Sequence, residues 1–459
     1  MPIKNLSLTF CGGAGSVTGA NFLLESEGPT PTRILIDCGM EQGTTVADEF
    51  NHRAFPYKPS EIDILLITHA HIDHVGRIPK LVRDGFKGII YSTPETRELA
   101  ILMLEDALKL TTQAAVRENR PALYNSDDVK RSFNIWKTIP YHTKTRIAPE
   151  FEVFLKDAGH VLGSTMYEIL YNGKKIVFTG DLGNSPTPLL KDTEDITDAD
   201  YLIMESVYGD RNHESKSDRR GKLEDVIEDT ILKKGVLMIP SFSLEKTQVI
   251  LYEINELVEE GSIQSIPVYI DSPLAIKITE IYKRYPVDFN PQTRALIKKG
   301  DDIFNFPKLH FTETSDESKA ILHTPNPKIV IAGSGMSNGG RIMHHELNYL
   351  SHPENTLLLV GYQAVNTIGR HISDGAKNVT IFGQQVDIRA RVEHIDGYSS
   401  HKDSDHLFEF VEKTADTVQK VFVAMGEPKS SMYLVQRLRD YLAVNAFAPK
   451  EGEKVILEC

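Results

Sequence analysis

Hydrophobic positions along this chain fall into short apolar runs separated by turn residues, with helical periods between some of them. Residues 6–10, 21–25, 33–37, 62–67 and 88–91 predict strands, and 151–155, 166–171, 174–179 and 201–204 predict more. The run 62–67 (IDILLI) is short and too uniformly apolar for a half-exposed edge, which predicts a strand buried on both faces. Asn172-Gly173 separates two of the runs and is the strongest short hairpin signal, a type I′ turn. Helices are predicted over 76–84, from Pro94 to about 119, and from Ser126 to about 136. The second has Thr93 as N-cap, Pro94 at its first position and Glu95 in its first turn. Beyond residue 208 helices over 222–232 and 245–259 alternate with strands over 235–240, 267–271 and 328–332, and Pro273, Pro286, Pro291 and Pro307 punctuate the stretch. A final strand, 420–424, and a helix, 430–442, follow. This alternation predicts layered α/β architecture with a second α/β unit inserted into the first: residues 1–208, an insertion at 209–391, and a return over 392–459.

Length and composition narrow the class. A chain of 459 residues has room for two or three cores, and 41% hydrophobic with 25% charged residues is ordinary globular composition. MPIKNLSLTF lacks the basic region and apolar run of a signal peptide, and no apolar stretch reaches the roughly 20 residues of a membrane span. Cys11, Cys38 and Cys459 are too scattered for a disulfide framework or a Cys-rich zinc site, so a cytoplasmic setting without membrane contact is expected. The net charge of −13 argues against non-specific wrapping of nucleic acid, while leaving room for a local basic channel. The Gly-rich stretch from Cys11 to Gly19 is spaced wrongly for a dinucleotide fingerprint and precedes a strand.

The chemistry concentrates after the buried run 62–67. His69, His71, Asp73 and His74 follow it on a loop that a sheet would hold rigid. His69 and His71 are two apart and can point the same way from extended backbone, while Asp73 and His74 continue around a turn. Imidazole with carboxylate suits zinc, and a second ion about 3.5–4 Å from the first is the spacing of two-metal hydrolases. A lone His160 is more often structural, but it lies between Gly159 and Gly163, and Asp181 ends the next hairpin, so the two complete a ligand set.

These residues resemble the HxHxDH motif of the metallo-β-lactamase fold, and the wider pattern resembles its β-CASP ribonuclease branch, near the nuclease of the cleavage and polyadenylation factor and its archaeal and bacterial relatives. The matching positions include Asp37-Cys38-Gly39, His69 to His74, Gly159-His160, Gly180-Asp181, Glu205-Ser206 and Tyr208-Gly209. They continue through Asp271-Ser272-Pro273, Ser334-Gly335-Met336, Gly361-Tyr362-Gln363, Gly369-Arg370 and Ser399-Ser400-His401. The resemblance implies an αββα sandwich with an inserted β-CASP domain, and a metal site in the cleft between the two. It implies two zinc ions, one held by His69, His71 and His160, the other by Asp73 and His74, with Asp181 bridging and Asp37 supporting from behind. It implies in-line hydrolysis of single-stranded RNA to leave a 5′-phosphate, with His401 protonating the leaving oxygen, Glu205 holding His401, and Asp73 counted with them as catalytic. Ser334, Ser337 and Arg370 are the expected phosphate contacts. Endonuclease action with a 5′-exonuclease mode, single-stranded DNA as a further partner and a homodimer belong to the same expectation. So does the lack of RNA-binding KH modules and of a long C-terminal extension.

One position departs from the family. Its last strand ends with a His before Gly-Glu, completing the second zinc site, whereas this chain reads Val423-Ala424-Met425-Gly426-Glu427. A thioether is a poor zinc ligand, so a weakened second site is expected; His394, just upstream of the His401 loop, is an unassigned histidine that nothing places at the metal. An RNA-processing scaffold with weakened catalysis is therefore the competing reading. Another hydrolase of the fold is a third, disfavoured because the insertion would cover the site.

Overall fold

The computed structural model describes residues 5–28, 30–43, 47–214, 216–361, 363–364 and 366–459. Tyr362, of the Gly361-Tyr362-Gln363 motif, lies outside them. The chain divides into two compact units, Met1–Asn212 with His401–Cys459, and His213–Ser400.

The first unit is a sandwich. One seven-stranded sheet runs Lys454–Leu457, Leu6–Gly12, Asn21–Ser26, Arg33–Ile36, Ile64–Leu66, Ile89–Ser92 and Trp136–Thr138. The other runs Ala446–Phe447, Lys420–Val423, Tyr201–Met204, Lys174–Phe178, Thr165–Tyr171, Phe151–Asp157 and Thr145–Ala148. Alternation decides which side chains meet: Leu6, Leu8 and Phe10 of one sheet share a core with Phe151, Val153 and Leu155 of the other. The outer face of the second sheet, with Val177, Leu202 and Val421, is covered by Leu407 and Phe410 of the helix Ser404–Glu412 and Leu434 and Leu438 of Pro428–Leu442. Ile64–Leu66 is wholly buried, as its uniform apolarity requires. Asn172 and Gly173 both have positive φ, as a type I′ turn demands, and pair Lys174 with Tyr171. Thr93 caps the helix Pro94–Arg117 by accepting from Thr96 N at 3.2 Å.

Several local expectations shift. The helix expected over 76–84 is two, Ile72–Val75 and Ile78–Arg83, so Asp73 and His74 lie on helical backbone. The helix Ser126–Asn134 is capped by Asn125, which forms a capping box with Asp128. Trp136, expected at that helix's end, starts a strand instead.

The second unit holds a six-stranded, wholly parallel sheet in the order Leu309–Phe311, Val268–Asp271, Lys328–Ala332, Val236–Pro240, Thr356–Leu359, Arg391–His394. Its central strands are buried along their length, the pattern of a parallel sheet covered on both faces. A separate hairpin joins Asn378–Ile381 to Gln384–Asp387.

Candidate metal centre

The centre lies in the first unit, where strands of both sheets end. The backbone beyond Ile64–Leu66 turns into Ile72–Val75 with His71 as N-cap, which gathers four donors at the start of a helix. Gly39 permits this turn: a Cβ there would lie 1.5 Å from the Asp73 carbonyl oxygen. Asp37 anchors the turn from the end of Arg33–Ile36. Its carboxylate accepts from Thr68 N and Thr68 Oγ1, both at 2.8 Å, and from His74 Nδ1 at 2.7 Å. Thr68 Oγ1 in turn lies 3.1 Å from His69 Nδ1. These contacts occupy the Nδ1 atoms of His69 and His74 and leave both Nε2 atoms facing the centre. Thr68 is a residue that sequence reasoning misses, because nothing in its type or spacing marks a hydroxyl that links Asp37 to His69.

The donors converge in two overlapping groups. His71 Nδ1 lies 3.1 Å from His69 Nε2 and 3.2 Å from His160 Nε2. Asp181 Oδ2 lies 3.5 Å from His69 Nε2 and 3.6 Å from His160 Nε2. Asp181 Oδ1 lies 3.4 Å from His74 Nε2, which lies 3.9 Å from Asp73 Oδ2. Ligands 2.0–2.1 Å from a tetrahedral ion stand roughly 3.3 Å from one another. The first group therefore has the spacing of ligands around one ion. His74 Nε2 and Asp181 Oδ1 are buried without a hydrogen-bond partner, so the set fits a divalent metal. A third group joins Asp181 to Glu205 and His401.

Burial and the close packing of charges set the electrostatics of these donors. Burial, helped by the neighbouring imidazoles, holds His69 well below its ordinary pKa. Burial also lifts Asp73 to about 6. It opposes charge on His74 too, but the carboxylates of Asp181 and Asp37 outweigh it and hold that imidazole well above the usual range.

Glu205 directly follows the strand Tyr201–Met204, is fully buried and accepts from Leu182 N at 2.7 Å. His401 Nδ1 lies 3.1 and 3.3 Å from its two oxygens and 4.0 Å from Asp181 Oδ2. Burial disfavours the imidazolium, yet Glu205 with Asp181 and Asp73 raises His401 to about 9. Tyr208, whose ring centroid is 6.2 Å from that of His401, and Lys402, which donates to Ser185 Oγ at 3.1 Å, flank the pair.

Residues 22–229 match the metallo-beta-lactamase superfamily, residues 247–372 the Beta-Casp domain, and residues 385–449 the Zn-dependent metallo-hydrolase RNA specificity domain. A ribonuclease of Thermus thermophilus is 35% identical over 87% of this chain and 89% of its own. The chain belongs to the β-CASP metallo-β-lactamase ribonuclease family. As a member of that family it is a metal-dependent hydrolase of the nuclease branch. The transcription termination factor FttA of Methanosarcina mazei is 31% identical over 98% of this chain and 71% of its own. A solved Enterococcus faecalis protein of unknown function shares the fold, with a TM-score of 0.55 at 11% identity over 99% of this chain and 100% of that one.

The β-CASP ribonuclease positions outside the two groups fall as follows. Met425 is 3% exposed, adopts φ 42°, and belongs to the core between the sheets. Its N donates to Gly13 O at 2.7 Å, and a Cβ on Gly13 would lie 2.4 Å from its sulfur. Met425 and His74 line one small cavity. His394 is exposed at the end of an edge strand of the second unit. Ser334, Ser337 and Arg370 also lie in the second unit. Ser337 is fully buried and donates to Glu346, Ser334 Oγ accepts from Asn338 N at 3.1 Å, and Arg370 donates to Asp374 at 2.9 Å. Among the described residues, no helix is long and apolar enough to cross a membrane.

Proposed function

We propose that this protein hydrolyses phosphodiester bonds of single-stranded RNA with two zinc ions, in the cytoplasm. The observation that supports this most is the sharing of Asp181 between two donor groups with the Glu205–His401 pair beside them. His69, His71, His160 and Asp181 would hold one ion, and Asp73, His74 and Asp181 the other. Three imidazoles with carboxylate favour zinc over calcium or magnesium. When bound, the ions would supply an activated water and offset the negative charge that develops on the phosphoryl oxygens.

The remaining chemistry belongs to the chain itself. Asp37 and Thr68 fix the tautomers of His74 and His69, so the lone pairs of both face the centre. Glu205 holds His401 at Nδ1 and keeps it protonated near neutrality, and Nε2 is the nitrogen proposed to donate to the leaving oxygen. Leu182 N and Val207 N fix the Glu205 carboxylate by donating to it at 2.7 and 3.3 Å. Ser334 and Arg370 are proposed as phosphate contacts of the second unit, with Ser337 shaping the same loop. Single-stranded DNA is a further candidate substrate.

The test is incubation of the purified protein with RNA labelled at either end, with and without chelator, reading the product termini. Chelator-sensitive cleavage leaving 5′-phosphate is expected. Products with 2′,3′-cyclic phosphate, or cleavage indifferent to chelator, would rule the mechanism out.

A further inference from the structure

The last helix carries side chains that the hydrolytic site does not use. Pro428–Leu442 buries Leu434, Val435 and Leu438 against the second sheet, yet Tyr433 and Tyr441 are 53% and 77% exposed. Tyr433, Arg437 and Tyr441 recur at intervals of four, which lines them along one helix face. With Phe408, Arg211 and Asn212 they line a concave space of ≈ 550 Å³, within the size range of ligand sites. The Arg437 guanidinium lies 4.6 Å over the Phe408 ring, and the Tyr441 ring meets Phe408 edge-on at 6.3 Å.

The polar groups of this wall are largely turned to one another. Arg437 pairs with Asp405 at 2.6 Å, Asn212 donates to Asp405 at 2.7 Å, and Gln436 donates to Asp440 at 2.8 Å. What the surface offers outward is therefore aromatic faces beside a guanidinium, rimmed by carboxylates. The wall also grows out of the hydrolytic site. The segment after Glu205 supplies Arg211, whose guanidinium lies 4.6 Å over Tyr208, and the other side of the wall starts three residues after His401, where Ser404 N donates to Arg211 O at 3.0 Å.

An unpaired nucleobase suits this surface. Aromatic rings and arginine stack bases of any identity, while carboxylates and amides accept from exocyclic amino groups. The carboxylates disfavour a phosphate in the same space, which keeps the ribose-phosphate chain outside. Both helices that form the wall fall within the match to the RNA specificity domain at 385–449. We infer that this concavity is an accessory site that stacks unpaired bases of the RNA substrate on Tyr433 and Tyr441, away from the bond being cut. This rests on the ribonuclease reading above.

The experiment compares holoenzyme with Tyr433→Ala and Tyr441→Ala, and with Tyr433→Phe, on a long single-stranded RNA and on one too short to reach beyond the metal centre. Losing a stacked base should raise KM for the long RNA by about 10-fold at unchanged kcat. The short RNA should be cut as before, and Tyr433→Phe should behave as the unmodified protein. Equal kinetics on the long RNA, or equal losses on both, overturn the site. A change of sedimentation coefficient without a change in KM overturns it in favour of a protein interface. Photocrosslinking of 4-thiouridine RNA reads the site even if no RNA is cleaved: a crosslink in the peptide 429–441 supports it, and crosslinks only elsewhere refute it.

Discussion

At the scale of single residues, His401 and Met425 are the positions where geometry makes the sharpest demands. His401 shares its Nδ1 with Glu205 rather than with either metal group's imidazoles. His401→Ala should leave metal content unchanged and slow cleavage by about 10²–10⁴-fold, the range for a lost general acid. Metal analysis of the variant decides it, because loss of metal would make His401 a ligand. Glu205 raises the His401 pKa, so Glu205→Gln should shift the alkaline limb of the rate profile to lower pH. Met425 bears on the second ion of the proposed pair. The first group offers three imidazoles and a carboxylate, whereas the second offers Asp73, His74 and the shared Asp181. Met425 is packed into the core against Gly13, beside the cavity that His74 lines. The second ion should therefore be held more weakly and be partly missing after purification. Met425→His should raise the metal-to-protein ratio and the cleavage rate together. A protein that already carries two full equivalents, unchanged by the substitution, would defeat this reading.

At the scale of elements, the turn between Ile64–Leu66 and Ile72–Val75 depends on one carboxylate. Asp37 has φ 57° in the left-handed region, which aspartate tolerates better than most residues, and it is 1% exposed. It accepts from a backbone N–H, a hydroxyl and an imidazole at once. Asp37→Asn keeps the shape but places an amide where one of three donors must then face another donor. Metal affinity should fall about 10–100-fold, the usual cost of losing a ligand's supporting partner. Competition with a chromophoric chelator measures this, and an unchanged affinity would show that the strand ends alone fix the turn.

At the scale of the whole molecule, the second unit has its own buried electrostatic knot. Asp271 is 0% exposed at the end of Val268–Asp271. It pairs with His345 Nε2 and Arg341 Nη1, both at 2.7 Å, and accepts from Thr312 Oγ1 at 2.7 Å and Ser318 Oγ at 2.6 Å. Burial alone would raise its pKa, but these partners lower it from 3.8 to about 2. A carboxyl depressed on folding contributes stability that is complete above the unfolded value and is lost as pH falls from about 4 to about 2, on the order of 2 kcal/mol in all. Denaturant titrations between pH 5 and 2 should show this loss in the unmodified protein and a flatter profile in Asp271→Asn, which should be less stable at pH 7. Parallel profiles would place the acid sensitivity elsewhere.

Local pattern was enough to place the first donors, because His69, His71, Asp73 and His74 are neighbours in the chain and the apolar run before them is too short for a helix and forms a buried strand. It also gave the hairpin at Asn172-Gly173, the central strands of the first unit and those at 236–240, 268–271 and 328–332 of the second, since period and turn chemistry are local properties, but it missed the buried central strand Thr356–Leu359. Short edge strands escaped it. Thr145–Ala148, Leu309–Phe311 and Ala446–Phe447 have too few residues to show a period. Partnership was beyond it as well: Lys454–Leu457 pairs Leu457 with Leu6 across the length of the chain, and Arg391–His394 joins the second unit's sheet through Thr356–Leu359. Folding alone brings His160 and Asp181 to the first four donors and Glu205 and His401 to Asp181, links Asp37 to His69 through Thr68, and buries Met425 in the core. These facts depend on which strand ends a sheet brings together, and hydrogen bonds between strands carry no mark in the spacing of either one.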